Sequence, residues 1–146
     1  MIPPCASSII HISYWEFFQN YYTPLLKEVD VLLKTIEEPI TTTKAAKVLN
    51  LKTYVVDKIM LKENIPQIDQ QGLLRIMMHG KSSLCRLLQR ECMCGSPNKY
   101  TPADISYIYN LQQDHVKKVC KELGYDYIST KELPNVLSKI YIYIMQ

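Results

Sequence analysis

The sequence lacks any long hydrophobic run, and this excludes one class of protein. No apolar stretch in its 146 residues approaches the roughly 20 residues that a membrane-spanning helix needs. The first eight residues, Met1–Ser8, also lack the basic start of a secretion signal. We therefore expect a cytoplasmic protein with no membrane partner.

The sequence also lacks the cysteine spacing of a disulfide-stabilised protein. The five cysteines are odd in number and are not spaced like a disulfide scaffold: Cys5, Cys85, Cys92, Cys94 and Cys120. Three of them, with His79 nearby, would supply four metal ligands, but Cys92-x-Cys94 lacks the two-residue spacing that structural zinc sites favour. We predict no metal and no cofactor, and keep a zinc site through Cys85, Cys92 and Cys94 as the less favoured alternative.

Catalytic patterns are absent too. Gly80-Lys81-Ser82 matches the end of a phosphate-binding loop, but Arg75 stands where that loop needs its first glycine. We expect Gly80 to end a helix and Ser82 to cap the next one. No Ser-His-Asp set or carboxylate cluster stands out, so we do not expect an enzyme.

What the chain does contain is an internal repeat. Ile40–Met78 aligns with Tyr100–Ser138 at an offset of sixty positions, with seven identities and a matching apolar pattern. The identical positions are Thr41/Thr101, Asn50/Asn110, Leu51/Leu111, Val56/Val116, Lys58/Lys118, Ile68/Ile128 and Leu73/Leu133. A repeat of this kind predicts two similar small modules.

Each copy has the pattern of a helix-turn-helix unit. In the first copy, Lys44–Leu49 and Lys52–Leu61 are predicted helices, and Asn50 between them tolerates a left-handed turn. In the second copy the corresponding helices are Ala103–Tyr109 and Gln112–Leu123. The residues at the helix crossing are apolar or small, as two short helices meeting at a wide angle require. We expect Leu51 and Leu111 to be buried beneath their helices.

The first copy, TTTKAAKVLNLKTYVVDKIM followed by IPQID and QQGLLRIM, resembles the helix-turn-helix modules of the excisionase and MerR-related superfamily. The resemblance covers both repeats and implies double-stranded DNA as the partner. The family's arginine-bearing hairpin wing has no counterpart here, because Asn64–Asp69 and Gly124–Ser129 contain no arginine.

The second helix of each copy would present polar side chains to a major groove. Lysines contact phosphates, whereas Gln, Asp and Thr can read base edges. The predicted DNA-binding residues are Lys52, Thr53, Tyr54, Asp57 and Lys58 in the first copy, and Gln112, Gln113, Asp114, Lys117, Lys118 and Lys121 in the second. The same residues would also suit a simple solvated helix face.

Charge is distributed unevenly along the chain. Ile40–Gly80 has six basic and three acidic residues, Lys81–Lys99 has four and one, and Tyr100–Gln146 has five of each. The positive charge therefore lies on the first copy and the segment after it, where we expect most phosphate contacts.

The N-terminal region is rich in aromatic residues. We predict one broken or kinked helix over Ser13–Glu38, with Thr23 as a cap before Pro24. Its aromatic face either covers the first copy or binds a protein partner or a second copy of the chain. The residues concerned are Tyr14, Trp15, Phe17 and Phe18.

Together these patterns predict a mainly α protein with tandem helix-turn-helix modules and little or no β structure. The expected divisions are an N-terminal region (1–39), the first module (40–80), a linking helix and loop (81–99) and the second module (100–146). Residues 140–145 fit either a strand or a helix end. We expect a bacterial, phage or mobile-element regulator that binds specific DNA sequences, with a protein-binding adaptor that uses the aromatic face as the alternative.

Overall fold

The computed structural model describes residues 9–94 and 98–145. This part of the chain is mainly helical, as predicted, and its only sheet has two strands. None of its helices is long and apolar enough to cross a membrane. The elements in chain order are β1 (Ile9–Ser13), α1 (Tyr14–Thr35), α2 (Thr42–Leu49), α3 (Thr53–Lys62), α4 (Gln70–His79), α5 (Ser83–Met93), α6 (Pro102–Tyr109), α7 (Gln113–Leu123), α8 (Leu133–Leu137) and β2 (Tyr141–Met145).

The chain divides into two compact units. One contains residues 21–94, and the other contains residues 1–20 with 95–146. Helix α1 passes from one unit to the other between Asn20 and Tyr21. The predicted N-terminal region is therefore shared between the units, and α5 belongs with the first repeat.

The unit of residues 21–94 is built around the first repeat. Its core contains Ala45, Leu49 and Val56, all with fully buried side chains, at the crossing of α2 and α3. Val29 from the second half of α1 and Leu84 from α5 join the same cluster. The first repeat thus buries its apolar residues against helices that lie before and after it in sequence.

The second unit combines α6, α7 and α8 with the small sheet. Ile105, Val116 and Val136 are fully buried. Strands β1 and β2 pair antiparallel, with Ile9 opposite Met145 and Ser13 opposite Tyr141. The tail that fitted either a strand or a helix end is therefore a strand, and β1 is a strand that the sequence pattern did not reveal.

Helix α1 begins one residue after the predicted start and runs without a break through Pro24. The Ser13 hydroxyl accepts a hydrogen bond from the Glu16 N–H (3.2 Å), so Ser13 caps the helix. Tyr14 is buried, and its ring lies 5.8 Å from that of Tyr109 in the second repeat. The aromatic half of α1 thus packs in the unit of the second repeat, so the first of its two expected roles, to cover the first copy, is wrong.

The two repeats share the same first turn. Asn50 and Asn110 both adopt the left-handed conformation, with φ of 58° and 54°. In each copy the leucine N–H that follows the asparagine donates to a carbonyl of the first helix: Leu51 to Ala46 at 2.8 Å and Leu111 to Ser106 at 3.0 Å. This matching geometry confirms the predicted role of the asparagines.

The second turn and the caps also match. Asn64 and Gly124, at equivalent positions, have φ of 55° and 75°. Thr41 and Thr101 each accept a hydrogen bond from the backbone N–H three residues ahead, at 3.1 Å. An isolated bridge then joins the start of each copy to the segment before its last helix, Ile40 to Ile68 and Tyr100 to Ile128.

One expectation about the core is wrong, and the repeats differ in one element. Leu51 and Leu111 are half-buried and not buried, because they follow the left-handed turn and precede the first residue of the next helix. The difference lies in the last helix, which is shorter in the second copy: α4 begins at Gln70, but α8 begins only at Leu133, three residues later in the repeat.

Candidate nucleic-acid interface

All the side chains of α3 and its N-cap that were predicted to bind DNA are exposed. Lys52 is the N-cap residue of the helix, and its side chain makes no cap hydrogen bond. Tyr54 is 60% exposed and forms a stripe with Lys58 and Lys62 at a spacing of four residues. A neighbouring stripe contains Thr53 and Asp57, which are exposed, and Leu61.

Helix α7 likewise exposes all of its nominated residues, with Val116 buried on the opposite face. Gln112 is the N-cap residue, and its side chain also makes no cap hydrogen bond. The exposed residues fall on two stripes, one of Gln113, Lys117 and Lys121 and the other of Asp114 and Lys118. His115 is exposed as well, so it is a surface residue.

The two helices carry their cations on different faces. Lys58 and Lys118 occupy equivalent positions, but the next cation on the same stripe of α3, Lys62, corresponds to Glu122 in α7. Conversely, Lys117 of α7 corresponds to Asp57 of α3. The repeats therefore share a turn and a core but present different charge patterns to a ligand.

A groove of about 470 Å³ lies beside α3 within the unit of residues 21–94. Its floor is formed by Leu51, Val55 and Ile59, which are half-buried. Basic side chains stand around it, and these are Lys52, Lys58, Lys62, His79 and Lys81. Of the nominated residues, Lys52, Tyr54 and Lys58 line this groove and Thr53 and Asp57 do not.

Lys62 and Lys81 also line the groove, and neither was among the predicted binding residues. The spacing of four residues from Lys58 to Lys62 was a usable signal, because it places both on one helix face. Lys81 carried no such signal. Lys81 lines the groove because it follows Gly80, the residue that ends α4. The sequence pattern does not show how α4 and α5 pack at this position.

The lysines around the groove are available to an anion. In residues 9–94 and 98–145, Lys52, Lys58, Lys62 and Lys81 have no carboxylate oxygen within 4.0 Å of the ammonium nitrogen. Glu63, the one carboxylate among the lining residues, lies 2.9 Å from His79 Nε2. The groove therefore has a net positive rim.

The residues around Gly80 have structural roles, as predicted. Gly80 ends α4, and the Ser82 hydroxyl accepts from the Cys85 N–H (3.2 Å) at the start of α5. Cys85 is fully buried, and burial raises the pKa of its thiol. Within the described ranges, no three His, Cys, Asp or Glu side chains come together as a metal site would require.

Comparison with models of known protein families, with curated proteins and with solved structures found no match to this chain.

Proposed function

We propose that the protein binds double-stranded DNA and that α3 and α7 are the helices that enter the major groove. The observation that carries this proposal is the exposure of all eleven nominated side chains on the second helices of two matching helix-turn-helix units. In such units the second helix supplies the base contacts, and its N-terminal residues lie closest to the bases. Lys52 and Gln112, as N-cap residues, stand at those ends.

The first repeat is the expected source of affinity. Lys52 and Lys58 are exposed, line the groove and have no carboxylate partner among the described residues. Their ammonium groups can therefore bind DNA phosphates. The segment Ile40–Lys99 has ten basic and four acidic residues, whereas Tyr100–Gln146 is neutral. Phosphate contacts by lysines release counterions and act on any sequence.

The second repeat is the expected source of base recognition. Gln112 and Gln113 begin α7 with exposed amides, and a glutamine amide can make two hydrogen bonds to an adenine edge. Lys117 and Lys121 continue the stripe of Gln113 and would contact the flanking phosphates. With the resemblance to excisionase and MerR-related modules, this division supports a cytoplasmic regulator of transcription or of a mobile element.

The test is fluorescence anisotropy of labelled duplexes with the full chain at two salt concentrations. We expect binding to random duplexes that weakens steeply with salt. Lys52→Ala and Lys58→Ala should each weaken binding to all duplexes alike and lower the salt slope by about one unit. Lys27→Ala, which removes another exposed cation from α1, is the matched control and should leave the slope unchanged.

Sequence discrimination has its own variants. Gln112→Ala or Gln113→Ala should reduce the preference for a selected duplex over a random one by about 1–3 kcal/mol if the residue reads a base. The affinity for random duplexes should change little, because an amide carries no charge. Absence of duplex binding even at low salt would overturn the proposal.

A protein-binding adaptor or homodimer is the second candidate, and one observation favours it. Trp15, Phe17 and Phe18 remain partly exposed on a single helix. Tyr14 drops out of this candidate surface because it is 6% exposed. Sedimentation tests the homodimer: a dimer that Trp15→Ala breaks supports it, and a monomer at all concentrations excludes it.

A further inference from the structure

The groove beside α3 has the dimensions of a small-molecule site. Its volume of about 470 Å³ falls in the range of roughly 300–1,000 Å³ that is usual for pockets holding small organic ligands. Leu51, Val55 and Ile59 give it an apolar floor. A contact with a DNA phosphate would not cover these three side chains, so phosphate binding leaves the floor unexplained.

The rim selects the charge of the occupant. Lys52, Lys58, Lys62 and Lys81 surround the floor, and their ammonium groups have no carboxylate partner among the described residues. The carboxylate of Glu63 is held by His79 at 2.9 Å, so it opposes an entering anion less than a lone carboxylate would. An apolar floor within a cationic rim complements a molecule with an apolar body and one negative group.

The same combination is missing from the second repeat. The positions equivalent to Lys52, Val55 and Lys62 hold Gln112, His115 and Glu122. Two cations and one apolar floor residue are thereby replaced by polar or acidic side chains. The groove is thus a property of the first repeat and not of the shared helix-turn-helix geometry.

We propose that this groove binds a small amphipathic carboxylate, with its apolar body on Leu51, Val55 and Ile59 and its carboxylate among the rim lysines. Because Lys52 and Lys58 would also contact DNA, the ligand and the duplex exclude one another. This second statement rests on the proposed function, whereas binding of the carboxylate does not. The ligand would then act as a chemical signal that releases the first repeat from DNA.

The test of binding is isothermal titration calorimetry of the full chain with octanoate in the absence of DNA. Octanol, octyltrimethylammonium and acetate are the comparison probes, which remove the negative charge, reverse it or remove the apolar body. We expect saturable binding of one octanoate, with each comparison probe at least about tenfold weaker. Absence of saturable octanoate binding, or equal binding of octanol, would overturn the proposal.

Variants locate the site. Val55→Asp places a carboxylate on the floor and should abolish octanoate binding, with far-ultraviolet circular dichroism used to check the fold. Lys62→Gln, at an exposed rim position that leaves the core untouched, should weaken binding severalfold, whereas Lys27→Gln outside the groove should not change it. Unchanged octanoate binding by both Val55→Asp and Lys62→Gln would overturn the assignment to this groove.

Competition is measured separately by adding octanoate to the protein–duplex complex in the anisotropy assay. Release of duplex by octanoate, but not by acetate at the same concentration, supports mutual exclusion. Duplex binding that octanoate leaves unchanged overturns the exclusion. If octanoate binds and no duplex does, the anion site is supported and the proposed function fails. If duplex binds and octanoate does not, the reverse conclusion holds.

Discussion

Gly72 on the first turn of α4 allows a close approach that no other residue permits. A Cβ atom added there would overlap the carbonyl oxygen of Gln67 and lie 3.3 Å from Asp69 Oδ1. The obstacle is backbone, and Asp69 Oδ1 also accepts the capping hydrogen bond from the Gly72 N–H (2.8 Å). Gly72→Ala must therefore shift the start of α4 away from the segment that precedes it.

The cost follows from two terms. Overpacking in a closely packed site costs about 1–3 kcal/mol, and loss of a helix N-cap costs about 1 kcal/mol. We expect Gly72→Ala to lower the free energy of unfolding by about 2–4 kcal/mol. In urea this should move the unfolding midpoint of the unit that contains α4 down by about 1–2 M, since m is about 1–3 kcal/mol/M for small proteins.

The assay is urea unfolding followed by circular dichroism, with Gln71→Ala as the control. Gln71 is exposed on the same turn, so its replacement should change stability by no more than about 0.5 kcal/mol. If Gly72→Ala were as stable as Gln71→Ala, the close approach of α4 to Gln67 would be refuted. Glu132 takes the position of Gly72 in the second repeat. Its carboxylate accepts a hydrogen bond from the Ser129 N–H (3.1 Å), and α8 begins at the next residue, Leu133.

Three further predictions concern core leucines and cysteines. Leu49→Ala should cost about 3–5 kcal/mol because its side chain is fully buried, and Leu51→Ala about half as much because it is half-buried; equal losses in urea unfolding would contradict this difference. Iodoacetamide should modify exposed Cys92 in the folded protein and spare Cys85 and Cys120, as judged by mass spectrometry. Burial raises the pKa of both buried thiols, so their contribution to the free energy of unfolding should be constant below the ordinary thiol pKa of about 8.5 and decline as pH rises above it, as measured by urea unfolding on both sides of that pH.

The turns and helices could be predicted because their causes are local. Asn50 and Asn110 are the non-glycine residues that best accept a positive φ, and both are found in that conformation. Thr101 before Pro102 is a cap signal, and the structure shows a full capping box there. Helix boundaries came within one or two residues for most elements, since capping depends on residues three positions apart.

The features that escaped prediction have distant causes. Strand β1 forms because Ile9–Ser13 pairs with Tyr141–Met145 at the other end of the chain. Its five residues alternate only weakly between apolar and polar, so the sequence pattern did not predict this pairing. The division of α1 between two cores is likewise set by what each half contacts. The groove could not be predicted because Lys81 reaches it through the packing of α4 and α5. Val55, Lys58, Ile59 and Lys62 lie on α3, whereas Leu51 and Lys52 precede the helix.

DNA binding by α3 and α7 can be tested by following the amide chemical shifts of this 17.0 kDa protein during a duplex titration at low salt. If α3 and α7 bind the duplex, the largest shifts should occur in α3 and at the start of α7, at Lys52, Tyr54, Lys58, Gln112 and Gln113. The buried face around Val56 should change less. Absence of shifts on adding duplex, or shifts confined to the aromatic segment of α1, would contradict DNA binding through the two helix-turn-helix units.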